Sequence, residues 1–108
     1  MNLQYKKGVI ELCVLSILHR RDCYGYDVSE IISKHINIAT GTVYPILRKL
    51  KNKGLVSTYL SEESGGPPRK YYTLTKLGKE EYKSAKIEWF DFINSVQKIL
   101  EDDVDEKG

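Results

Sequence analysis

The chain has 108 residues, 41% hydrophobic and 30% charged, with a formal net charge of +2; this is a globular composition, and the length allows one small domain with a modest core. No apolar run approaches the roughly 20 residues that span a bilayer, and the N-terminus has no small-residue cleavage site, so a cytoplasmic protein is expected. The charge is uneven: Glu101–Gly108 holds five acids and one lysine, leaving 16 of the 17 bases and 10 of the 15 acids to residues 1–100, a net +6 that suits a polyanionic partner.

Tyr5–His19 reads as a first helix. Val9, Leu12, Cys13, Ser16 and Ile17 keep helical spacing, and Ile10, Val14, Leu15 and Leu18 widen the apolar face until it needs cover on more than one side. A second subunit can supply part of that cover. Cys13 is expected as a small core residue. Cys23 with His19 makes at most half a metal site, because no second Cys or His pair stands at ligand spacing. No metal or other cofactor is expected. After a break at Arg20–Asp22, a second helix is predicted from Tyr24 to about His35, with Val28, Ile31, Ile32 and His35 on one face and Asp22 as a cap.

Asn37–Gly41 is a turn, and Thr40 or Thr42 can cap a third helix that runs to Lys53 and stops at Gly54. Val43, Leu47 and Leu50 form its buried stripe with Ile46 beside it, and Pro45 falls in or near the first turn. The other face carries Arg48, Lys49, Lys51 and Lys53, with no acid between Thr40 and Lys53. Leu55–Leu60 and Arg69–Leu74 are β-prone runs joined by a long Gly- and Pro-rich loop, Ser61–Pro68, and together predict a hairpin. Thr75 then caps a last helix, interrupted early by Gly78 and reaching about Leu100. Within it Tyr82, Ala85, Trp89, Phe92, Val96 and Ile99 recur at steps of 3, 4, 3, 4 and 3, a heptad seam for dimerisation. Ile87, Phe90, Ile93 and Leu100 add apolar surface beside it.

Helix, helix, basic helix, hairpin and long helix, in that order, predict a mainly α protein with a small β-hairpin (α+β): a winged helix-turn-helix over residues 1–75, a dimerisation helix over 76–100 and an acidic frayed tail over 101–108. In such a fold the third helix fits the major groove of B-DNA. Thr40, Thr42 and Tyr44 can donate hydroxyl hydrogen bonds at its start, and Pro45 lies beside them. The planar fork of Arg48 matches O6 and N7 of guanine, while Lys49, Lys51 and Lys53 suit phosphates. On the wing, Gly65 and Gly66 let backbone approach the duplex, and Arg69 and Lys70 stand on the return strand.

Several blocks resemble the PadR family of winged-helix transcription regulators: Leu12–Leu18, Tyr24-Gly25-Tyr26-Asp27-Val28, Gly41–Leu50 with its Gly-Thr-Val-Tyr-Pro, Gly54-Leu55-Val56, and Gly66–Gly78 with its Arg-Lys-Tyr-Tyr-Thr-Leu-Thr. The short C-terminus is similar to the branch with a single dimerising helix. The resemblance implies a homodimer on a palindromic operator, contacts to DNA from Thr42, Tyr44 and neighbouring basic residues, and usually repression. In multidrug-sensing relatives a tryptophan at this place of the last helix stacks on planar aromatic ligands. Trp89, with Tyr5, Gly8, Glu11 and Leu12 of the first helix, is therefore the candidate effector-binding set, while packing at the subunit interface is the alternative role for Trp89. Phe90, Phe92 and Ile93 can fill such a pore. A protein-interaction module built on the same fold is the alternative from another class, and the acid-free third helix argues against it. No phosphate-binding Gly loop, metal-ligand cluster or nucleophile–base pair marks an enzyme.

Overall fold

A computed structural model describes the backbone of residues 3–62 and 65–105 and the side chains of 8–62 and 65–102. Glu63 and Ser64 of the expected hairpin loop, the side chain of Tyr5 and the end of the acidic tail lie outside the described residues. Helix α1 (Leu3–Arg20) is followed by a short strand β1 (Cys23–Tyr24), α2 (Gly25–Ser33), a single 3-10 turn (Thr40–Thr42), α3 (Val43–Asn52), β2 (Val56–Ser61), β3 (Arg69–Leu74) and α4 (Lys76–Asp105). The winged-helix order is thus present. Among the described residues no helix is long and apolar enough to cross a membrane.

The core forms where the apolar stripes converge. Ile10, Val14, Leu15, Ile17 and Leu18 of α1 are buried with Val28 and Ile32 of α2, and with Val43, Ile46, Leu47 and Leu50 of α3. The wide apolar face of α1 finds its cover largely within the chain, since α2, α3, β3 and α4 all pack on it. Ser29, the one buried polar side chain among the described residues, donates to the carbonyl of Thr40 at 3.2 Å and so ties α2 to the approach of α3.

The sheet differs from the expected two-stranded wing. It has three antiparallel strands in the order β1-β3-β2. Cys23 stands opposite Tyr72, Tyr24 opposite Tyr71, and β2 pairs with β3 from Val56–Leu74 to Ser61–Arg69. Two residues are too few for a period to show, so β1 is invisible in the sequence. It also displaces the expected cap of α2. The N-cap is Tyr24, in extended conformation and without a side-chain cap, while the Asp22 carboxylate accepts the Tyr59 hydroxyl at 2.7 Å. Helix α2 ends at Ser33, and His35 lies exposed in the turn after it. Cys23 is buried and its thiol faces the Arg21 carbonyl, whereas the His19 ring packs on Tyr82. Burial pushes both Cys13 and Cys23 thiols up from their ordinary pKa, so they stay protonated at neutral pH.

Neither Thr40 nor Thr42 caps α3 with its side chain. The 3-10 turn takes over that role, Thr42 donating its backbone N–H to Ala39 at 3.0 Å. At the other end Gly54 has φ +77°, Gly54 N–H reaches the Lys51 carbonyl and Leu55 N–H the Leu50 carbonyl, both at 3.0 Å. This is the Schellman pattern that a left-handed glycine permits. The same corner receives α4. Thr75 donates its hydroxyl to the Gly54 carbonyl at 2.7 Å and its N–H to the Leu55 carbonyl at 3.1 Å, and its hydroxyl oxygen accepts the Gly78 N–H at 3.0 Å. Thr75 is therefore the cap expected of it. Gly78 does not interrupt the helix; it lets the first turn lie against the backbone of Leu55.

Past that corner α4 runs along α1 as far as Trp89 and Phe92 and then projects outward, and the chain measures 64 × 27 × 21 Å along its principal axes. The heptad seam divides along the way. Tyr82 is only 8% exposed, its hydroxyl 3.3 Å from that of Ser16, so it belongs to the chain's own core and not to a surface free for a partner. Ala85 and Trp89 are half-buried, and Phe92, Val96 and Ile99 are exposed. The helix continues to Asp105, five residues past the expected end at Leu100, because no Gly or Pro stands before Gly108 to stop it.

Candidate nucleic-acid interface

Helical geometry sorts the polar face of α3 into separate stripes. Tyr44, Arg48 and Lys51, at i, i+4 and i+7, line up on one side. Facing them are the start of α2 and the strand β3. Between these elements runs an open cleft of about 460 Å³, lined by Tyr24, Gly25, Tyr26, Tyr44, Arg48, Lys51, Arg69, Lys70 and Tyr72. Four of the nine are cations and none is acidic, which makes the cleft a collector for anions. Its volume is within the range of ligand pockets, but its openness along α3 and the wing suits an extended polyanion better than an enclosed molecule.

Tyrosines fix the shape of the cleft. The ring of Tyr44 lies against Gly25, where a Cβ would sit 2.7 Å from its Cε1. Glycine at 25 thus seats the Tyr44 ring, which stays 42% exposed. The Arg69 guanidinium rests 4.9 Å from the centre of the Tyr24 ring, a cation–π contact that holds a flexible side chain at the mouth. Tyr24 meets Tyr71 edge-on at 5.7 Å and Tyr71 stacks on Tyr59 at 5.6 Å, so the outer sheet face is an aromatic row across all three strands. Glu30 beside Tyr26 pushes that phenol's pKa up, chiefly by accepting its hydrogen bond.

The expected DNA-binding residues separate into groups. Tyr44, Arg48, Arg69 and Lys70 come together in the cleft. Thr40 and Pro45 are exposed and Thr42 half-buried at the start of the helix. Gly65 and Gly66 are exposed at the wing, with Gly65 at φ +72° and its N–H on the Glu62 carbonyl at 2.9 Å. Lys49 points elsewhere: its ammonium meets the carboxylate of Glu11 on α1 at 2.6 Å. Tyr24, Tyr26 and Tyr72 were not singled out by charge and periodicity. Eight tyrosines in 108 residues were the available signal.

A second, mostly apolar cleft of about 360 Å³ lies between α1 and α4, lined by Gly8, Val9, Leu12, Ala85, Glu88, Trp89 and Phe92. It gathers Gly8, Leu12 and Trp89 of the candidate effector set. Glu11 is drawn away to Lys49, and the side chain of Tyr5 is outside the described residues.

Known proteins share this design. The model of the transcriptional regulator PadR-like family matches residues 14–84. A solved structure from Streptococcus mutans superposes with a TM-score of 0.83 at 38% identity, over 88% of this chain and 89% of that one. A PadR-like transcriptional regulator of Bacillus cereus gives 0.82 at 34% identity, over 90% and 96%. The negative transcriptional regulator PadR of Bacillus subtilis is 26% identical over 77 residues, which are 68% of this chain and 42% of that protein.

Proposed function

The chain belongs to the PadR-like family of transcriptional regulators, and on that premise we propose that it binds a palindromic operator as a homodimer and represses transcription in the cytoplasm. The acid-free cleft between α3 and the wing carries this reading, because its cations line a path open to an extended polyanion. In the proposed complex α3 enters the major groove, Arg48 reads a base edge, and Lys51, Arg69 and Lys70 hold phosphates. The apolar residues that α4 leaves exposed beyond Trp89 support the homodimer. Kinship with a negative regulator supports repression.

Duplex binding measured against salt tests the proposal. Three phosphate-directed cations per subunit engage about six phosphates in a dimer, so log affinity should fall with log salt at a slope near −5. A protein-interaction module would show no such slope. Arg48→Ala is expected to weaken operator binding by about 1–3 kcal/mol and to relax base preference at one position of each half-site; unchanged affinity would remove Arg48 from that role. Gly25→Ala is expected to push the Tyr44 ring from its seat. Fluorescence anisotropy should then show operator affinity lower by about 1 kcal/mol, the order of one hydrogen bond, with the fold intact by circular dichroism.

The cleft at Trp89 favours a further role, release of the repressor by a planar aromatic effector. Such compounds should quench Trp89 fluorescence and lower operator affinity in parallel. A panel that leaves the fluorescence unchanged leaves Trp89 a packing residue only.

A further inference from the structure

We propose that Glu11 determines how sharply the protein separates its operator from other DNA, by withholding Lys49 from the phosphates. The proposal rests on the DNA-binding reading above. Lys49 follows Arg48 on the polar face of α3, and in the sequence it counts as one more cation for the duplex. In the fold its ammonium is held by a carboxylate from α1, Nζ to Oε1 2.6 Å. The Glu11 side chain is 19% exposed and that of Lys49 is 44% exposed. The carboxylate is thus the more buried member of the pair, and the lysine the more exposed. The pair is neutral, whereas Arg48 and Lys51 turn to the cleft, where no acid competes for them.

A phosphate contact is blind to sequence and supplies nearly all of the affinity for non-operator DNA. In the operator complex, base contacts fix the register and leave Lys49 on Glu11. On other DNA the protein adopts many registers, and a freed lysine would find a phosphate in most of them. Glu11 therefore suppresses random binding more than operator binding.

The test compares the unaltered protein, Glu11→Gln, Lys49→Met and the double variant on an operator duplex and a scrambled duplex across a salt series. Glu11→Gln should tighten binding to the scrambled duplex roughly tenfold at low salt and steepen its slope by about 2, one phosphate per subunit. Operator affinity should change less, so the specificity ratio falls. Lys49→Met alone should leave both affinities unchanged, and adding it to Glu11→Gln should restore the original slope. The proposal is overturned if Glu11→Gln leaves the scrambled-duplex affinity and slope unchanged, or if Lys49→Met alone weakens binding as much as it does in the Glu11→Gln background. Should Glu11→Gln fold poorly, Lys49→Met alone is the check, and weaker binding of the scrambled duplex by that variant would overturn the proposal. Failure of the unaltered protein to bind any duplex overturns this proposal and the DNA-binding reading together; duplex binding that ignores Glu11 overturns this one alone.

Discussion

Gly78→Ala is expected to lower folding stability by about 2–4 kcal/mol, a large effect for one methyl group. An added Cβ would lie 2.0 Å from the carbonyl oxygen of Leu55 and 3.0 Å from its carbon. Backbone cannot swing aside as a side-chain tip can, so the first turn of α4 must lift away. Lifting it stretches the Thr75 bonds to Gly54 and Leu55 and exposes Leu55 and Leu74, both buried at this corner. Urea denaturation at fixed protein concentration should show a lower midpoint with a similar slope. Gly8→Ala is the matched control. That glycine is also helical but has nothing within 4 Å of its would-be Cβ, so alanine should be neutral or stabilise by up to about 1 kcal/mol. A loss below about 0.5 kcal/mol for Gly78→Ala would show that α4 is not seated on Leu55.

Trp89→Ala is expected to weaken the proposed dimer by about 2–4 kcal/mol, roughly 30-fold to 1,000-fold in dissociation constant. Trp89 stands where the seam passes from the chain's own core to open surface. Before it Tyr82 is buried; after it Phe92 is 47% and Ile99 68% exposed, and Phe90 on the neighbouring flank is 52% exposed. Its ring lies 6.4 Å from that of Phe92, on the cleft shared with α1. A large, rigid side chain at such a boundary is the usual anchor of an interface. Sedimentation over a dilution series should show the variant dissociating at concentrations where the unaltered protein remains dimeric. A variant still dimeric at nanomolar concentration would move the anchor elsewhere on α4.

Much of this architecture could be read in advance, and the exceptions share a cause. Helix α3 was legible because Val43, Leu47 and Leu50 repeat at the helical period opposite an acid-free basic face. The long α4 was legible for the same reason. Features that depend on distant neighbours were not. The seam from Tyr82 to Ile99 is continuous in sequence, yet Tyr82 serves this chain's core because Ser16 and His19 lie beneath it. Lys49 looked like its neighbours because its partner stands 38 residues earlier. Thr40 and Thr42 have capping chemistry, but a 3-10 turn brings the chain into α3 with helical dihedrals already set at Thr42. Gly78 suggested a break because glycine weakens helices, when its value was the missing Cβ. The cleft itself was half legible: its cations announced themselves by charge, whereas Tyr24 is placed by a strand of only two residues.

The corner of Gly54, Leu55, Thr75 and Gly78 has a consequence for the spacing of the proposed half-sites. It bolts the end of α3 to the start of a helix of 30 residues, a lever arm about 45 Å long. A five-degree error at its pivot would displace the far end by about 4 Å, a third of the roughly 12 Å width of the major groove. In a dimer joined through α4 the two errors compound. The distance between two reading heads is then gauged in part by four residues outside the basic cleft, with the seat of Tyr82 on α1 sharing the task, and a substitution there would alter which length of the proposed operator fits before it altered which bases are read.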